Sequence, residues 1–102
     1  MATLYITEYV HAAVDQGRAL PVGGGAPVAQ QTLNIGGGSV ASAAFNANTH
    51  LIRAHTDNVC SVLVGNPGTT PIATQTMCRM AANQTEYFGV DPGGKIAVIA
   101  NT

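Results

Sequence analysis

Charge is scarce in this chain. Asp, Glu, Lys and Arg together make up 9% of its 102 residues, where about 25% is usual for a soluble domain. Five acidic and four basic residues leave a formal charge of -1. No basic stripe is available to neutralise phosphates, which argues against nucleic acid as a partner. No polybasic or basic amphipathic segment points to a membrane surface. Tryptophan is absent and aromatics are 5% of the chain. No apolar run approaches the roughly 20 residues of a membrane span. The start, Met1-Ala2-Thr3-Leu4-Tyr5-Ile6-Thr7-Glu8, has neither the charged region nor the apolar region of a signal peptide. The reading is therefore synthesis and folding in a cytoplasm.

Chemistry-bearing residues are equally thin. Cys60 and Cys78 are the two cysteines, without metal or redox spacing. They are read as buried free thiols acting as small hydrophobes. His50 and His55 stand five apart on one expected strand, where a period of two sends them to opposite faces. His11 is remote from both. Ser39, Ser42 and Ser61 lack a nucleophile-elbow context. Asp15, Asp57 and Asp91 fall in turns, where they cap backbone amides. Glu8 and Glu86 fall on strands, and Glu86 is expected to pair with Lys95 across a hairpin. Gly23-Gly24-Gly25 has no following Lys-Ser/Thr and no helix start, so it is not a phosphate loop. No catalytic residue, cofactor site or metal site emerges, and the chain is expected not to be an enzyme.

What remains is strand-forming sequence. Apolar residues make up 46% of the chain, enough for one domain over residues 1–102 that buries roughly 60–70% of its unfolded surface. Thr3 to Tyr9 alternates, with Leu4 and Ile6 on one face and Tyr5, Thr7 and Tyr9 on the other. Val10 to Val14 continues that strand or makes a helical turn. Asp15-Gln16-Gly17-Arg18 reads as a turn, and Ala19 to Pro27 as a loop. Val28–Ile35, Ser39–Phe45, Thr49–Thr56, Val59–Val64 and Thr74–Ala82 read as further strands. Tyr87, Phe88 and Val90, then Ile96, Val98 and Ile99, read as the arms of a hairpin around Asp91-Pro92-Gly93-Gly94, a turn with proline and positive-φ glycine. Phe45 and Phe88 are expected in the core. About eight short strands with turn signals every 8–12 residues or so predict an all-β fold, a single small β-sandwich or jelly-roll-like barrel.

Four stretches carry a resemblance. Met1-Ala2-Thr3-Leu4-Tyr5-Ile6-Thr7-Glu8-Tyr9, Ala41-Ser42-Ala43-Ala44-Phe45-Asn46, Leu51-Ile52-Arg53 and Glu86-Tyr87-Phe88-Gly89-Val90 … Gly94-Lys95-Ile96-Ala97-Val98 resemble small virion proteins of tailed bacteriophages. Those look like head decoration, or cement, proteins. The resemblance implies a sandwich on the capsid surface, assembled in the host cytoplasm. It implies a homo-oligomer, a trimer in the favoured form, that clamps neighbouring major capsid protein subunits. The low charge suits such packing. Candidate partner contacts lie on an N-terminal strand over residues 1–9, at Leu4, Tyr5, Ile6 and Tyr9; the equal alternative is that this segment is an ordinary strand of the sandwich. Others lie at the following turn and loop, at Arg18 and Leu20. Arg53 and Arg79 are isolated strand cations that fit a protein anchor. The rival reading is a small tail or fibre component that binds host glycan, through Tyr5, Tyr9 and Tyr87, or another virion protein.

Overall fold

The computed structural model describes residues 2–15 and 18–101, without the side chains of residues 14–15 and 19–22. Among the described residues there is no helix and there are ten strands: β1 (Thr3–Tyr9), β2 (Ala12–Asp15), β3 (Arg18–Gly23), β4 (Ala29–Asn34), β5 (Val40–Ala41), β6 (Leu51–Thr56), β7 (Cys60–Gly65), β8 (Cys78–Met80), β9 (Thr85–Gly89) and β10 (Lys95–Ala100). Eight of them build two antiparallel four-stranded sheets, ordered β4-β1-β6-β9 and β5-β10-β7-β8; β2 and β3 form a separate ribbon. The protein is an all-β sandwich, as the alternating strands predict. Counting β4 first, through β10, with β1 last, the sheets read 1-8-3-6 and 2-7-4-5. That is the strand order of a jelly roll.

Period-two alternation explains the layers. Leu4, Ile6, Ile52 and Ala54 point inward from the first sheet, and Val62, Met80, Ile96 and Val98 from the second. Phe45 and Val90 fill the space between, and Phe88 packs on the edge of the same cluster. Each fully buried aliphatic chain contributes about 1.5–3 kcal/mol of transfer free energy.

The stretch read as a hairpin is not one. β9 pairs with β6 and β10 with β7, in opposite sheets. Asp91–Gly94 is an arch that carries the chain across the core. Its turn chemistry is as expected, with Gly93 at φ 82° and the Gly94 amide donating to the Asp91 carbonyl at 3.1 Å. Lys95 therefore does not sit across from Glu86, which instead accepts Gln84 Nε2 at 2.6 Å.

Other boundaries differ too. Residues 18–23 form a strand, not a loop; a two-stranded ribbon tolerates Pro21 because both of its strands are edges. Residues 12–15 form its other strand, while Gln16 and Gly17 of the expected turn lie outside the described residues. The strands expected over Ser39–Phe45 and Thr74–Ala82 shrink to Val40–Ala41 and Cys78–Met80.

Residues 66–77 instead make a strap over the outer face of the second sheet. Ser61 and Ala97 point outward in register yet are fully buried, because the strap covers them. Ala73 N–H donates to Ser39 Oγ at 2.8 Å, and Asn101 Nδ2 donates to Ser61 Oγ at 2.7 Å and to the Gln75 carbonyl at 2.9 Å. Gly65 is bare where Pro71 crosses: a Cβ there would lie 2.9 Å from Pro71 Cδ.

Glu8 is the one buried carboxylate among the described residues, 2% exposed. Its Oε1 accepts the Asn46 amide at 2.8 Å and Thr49 Oγ1 at 2.9 Å, and its Oε2 accepts Gln31 Nε2 at 3.3 Å. These bonds hold the connection between β5 and β6 against the end of β1. Gln31 also brackets Ala43, accepting its N–H at 3.0 Å and donating to its carbonyl at 3.3 Å.

Candidate functional site, an open sheet face

The two outer faces of the sandwich are treated differently. The strap covers the second sheet, whereas much of the first is bare. Register places Thr32, Tyr5, His55 and Thr85 side by side in one row across β4, β1, β6 and β9. The next row is Gln30, Thr7, Arg53 and Tyr87. Alternation along each strand turns these side chains outward while Leu4, Ile6, Ile52 and Ala54 turn inward.

Tyr5 is 45% exposed. Its ring centroid lies 6.3 Å from that of His55, with the planes tilted by 44°. His55 Nδ1 shares a 2.7 Å hydrogen bond with Thr85 Oγ1, which fixes the imidazole against β9. Tyr5, Thr7, Gln30, Thr32, Arg53 and His55 line an open groove of about 590 Å³. Among the described side chains no carboxylate lines it. Glu8 points inward, Glu86 is bonded to Gln84, Asp57 caps the Thr3 amide at 2.7 Å, and Asp91 belongs to the arch. Arg53 is thus a half-buried cation on a face whose other described side chains are mainly hydroxyls and amides.

At one end the ribbon folds over this face. β3 runs against β6 and β9. The Tyr9 ring lies against Gly23, where any Cβ would collide with it. Leu51, outward in register, is buried at the same end.

The expected contacts divide accordingly. Tyr5 and Arg53 meet in the groove. Leu4 and Ile6 are core residues, 0% and 1% exposed, so their side chains offer nothing to a partner. Residues 3–9 form an interior strand bonded on both sides, so this segment cannot add itself to a partner's sheet. Tyr9 lies under the ribbon. Arg18 is exposed at the start of β3, and Leu20 lies on β3 with its side chain outside the described residues. Arg79 is exposed on β8, on the other sheet. His55, Gln30 and Thr32 were not singled out from sequence as contacts; only the strand register joins them to Tyr5.

Other polar groups stay apart. His50 is exposed before β6, with Nδ1 3.2 Å from the carbonyls of Val10 and Asn48, and does not share the groove with His55. Among the described residues no cluster of three His, Cys, Asp or Glu is placed to hold a metal ion. Cys60 is buried as expected, and burial pushes its thiol above 9.0 against an opposing hydrogen bond to Thr56 Oγ1. Cys78 is exposed rather than buried, because three-residue β8 is the sheet edge. Comparison with protein-family models, with curated proteins and with solved structures finds no match.

Proposed function

We propose that this chain is a structural virion protein that decorates and reinforces the head of a tailed bacteriophage. Its partner is the major capsid protein, and it sits on the capsid surface as a homo-oligomer, with a trimer favoured. The sequence resemblance supports this reading, and the crest of the strap carries it on the structural side. Ile72 is 69% exposed there, between buried Pro71 and Ala73. Val40, also exposed, stands on the edge strand that the strap grips through Ser39. A strap held by side-chain hydrogen bonds from Ser39, Gln75 and Asn101 that still presents a bare isoleucine suits an apolar contact with a fixed lattice. Arg79 supplies a rim cation on the same sheet. Binding the assembled lattice better than free subunits stabilises the assembled state by mass action, and many copies multiply a modest affinity.

Counting copies per particle by quantitative mass spectrometry tests this. Many copies are expected, and particles lacking the chain should lose heat resistance. Particles of unchanged resistance would remove the reading. Ile72→Asp should leave the fold intact and lower occupancy, since burying an isoleucine contributes about 1.5–3 kcal/mol.

The bare face of the first sheet favours a second reading, a tail or fibre component that binds host glycan. Its open groove has a volume within the roughly 300–1,000 Å³ of small-ligand sites, and joins an exposed tyrosine ring to hydroxyl and amide side chains.

A further inference from the structure

We infer that the groove on the first sheet binds a saccharide that carries a carboxylate, with Arg53 receiving the acid group and the Tyr5 ring receiving the sugar face. This rests on the glycan-binding reading and narrows it to acidic sugars.

Arg53 stands on β6, in the interior of the sheet, where register sets it between Thr7 of β1 and Tyr87 of β9. The side chain is half-buried and rises from a floor of paired strands. A guanidinium recognises a carboxylate with two parallel hydrogen bonds, and such charge-assisted pairs are about twice as strong as neutral ones. Among the described side chains none supplies an acid group to this groove. The nearby carboxylates are engaged elsewhere. Glu8 holds Asn46 and Thr49, Asp57 holds Thr3, and Glu86 accepts from Gln84.

The surroundings select the rest of the ligand. Tyr5 lies diagonally across from Arg53, about 7–8 Å away in backbone terms. It is exposed enough for a sugar ring to stack on it, and the His55 ring buttresses it. Thr7, Thr32 and Gln30 ring the floor with hydroxyl and amide groups, which match sugar hydroxyls. Outward aliphatic side chains, the usual anchors of a peptide, are missing from both central rows. An acidic saccharide answers every feature of the groove, whereas an acidic peptide answers only Arg53.

The test uses the full chain, isotopically labelled, with amide shifts followed by NMR. The probes are N-acetylneuraminic acid, glucuronic acid, the methyl ester of glucuronic acid, glucose and a triglutamate peptide. Both acids should shift the amides of Tyr5, Thr7, Thr32, Arg53 and His55, with affinities of about millimolar strength. The ester and glucose should bind at least about tenfold more weakly, and Arg53→Gln should lower affinity for the acids by about tenfold or more. Arg53→Lys keeps the charge without the fork and should fall between. If Arg53→Gln perturbs the fold, the acid-to-ester ratio on the unaltered chain decides alone. Equal binding of acid, ester and glucose would leave a glycan site standing and overturn the carboxylate assignment. Binding of triglutamate in place of the sugars would overturn it in favour of a protein ligand. No shift at this face with any sugar at about 10 mM, the weak limit of useful affinity, would remove both the inference and the reading beneath it.

Discussion

Replacing Glu8 by alanine should unhook the connection between β5 and β6 from the body of the sandwich. The carboxylate is nearly inaccessible and accepts the Asn46 amide at 2.8 Å, the Thr49 hydroxyl at 2.9 Å and Gln31 Nε2 at 3.3 Å. Alanine leaves the first two donors dry, at about 1–3 kcal/mol each. Gln31 loses less, since its bond to Glu8 is long and its bracket on Ala43 survives. Against this, the variant no longer buries a carboxyl group, which returns part of the loss. The net is a destabilisation of about 2–4 kcal/mol, or a fall in Tm of roughly 10–25 °C for a domain this size. Calorimetry measures the total. Hydrogen exchange locates it, with the Asn46 and Thr49 amides losing protection before those of β6. Glu8→Gln keeps one acceptor and should cost about half as much. A loss under about 1 kcal/mol in Glu8→Ala, or an Asn46 amide still protected, would refute the reasoning.

Three further outcomes follow from the packing. Cys60 has its thiol pushed up by burial, so the folded chain keeps that proton while the unfolded chain releases it near 9.0. Stability should therefore be flat below that pH and decline as pH rises through and above it; the decline should shrink in Cys60→Ala when chemical denaturation is repeated from pH 7 to 10 or so. Gly94→Ala places a Cβ 2.7 Å from the Gly65 carbonyl oxygen and 3.1 Å from that of Asp91. Backbone cannot yield as a side chain does, so the arch should lose about 1–3 kcal/mol in urea unfolding. Asn101→Ala removes both bonds to Ser61 and Gln75; a loss of about 1–3 kcal/mol is expected, with faster exchange confined to the strap.

Much of the fold was legible because burial writes a period of two into the strands. Thr3–Tyr9 and Leu51–Thr56 carry that period, Cys60–Gly65 is marked instead by its run of Val and Leu, and each forms nearly where it is read. The arches were not legible. Asp91-Pro92-Gly93-Gly94 announces a reversal, but a reversal between paired strands and one between stacked sheets use the same turn residues. The difference lies in which strands claim β9 and β10, and those partners are distant in sequence. The strap was hidden for a related reason. Its order comes from side chains of Ser39, Ser61 and Asn101, which leave no periodic trace in residues 66–77. Of the groove, Tyr5 and Arg53 were visible as an exposed aromatic and an isolated cation. Their meeting with His55, Gln30 and Thr32 is a product of register, which no single stretch of sequence displays.

The two ends of the described chain meet in an unusual way. The Ala2 carbonyl accepts the amide of Ile35 at 3.0 Å, and that of the next residue, Gly36, accepts the amide of Ala100 at 2.8 Å. Beginning and end are thereby stitched to successive peptide units, so a short linker could bridge them. With that bridge in place residues 2–101 become a closed loop, and the place where it is cut becomes a free choice. A cut between the ribbon and β4 would begin the chain at β4 and turn its strand sequence into the ordinary one of its architecture, with every ladder intact.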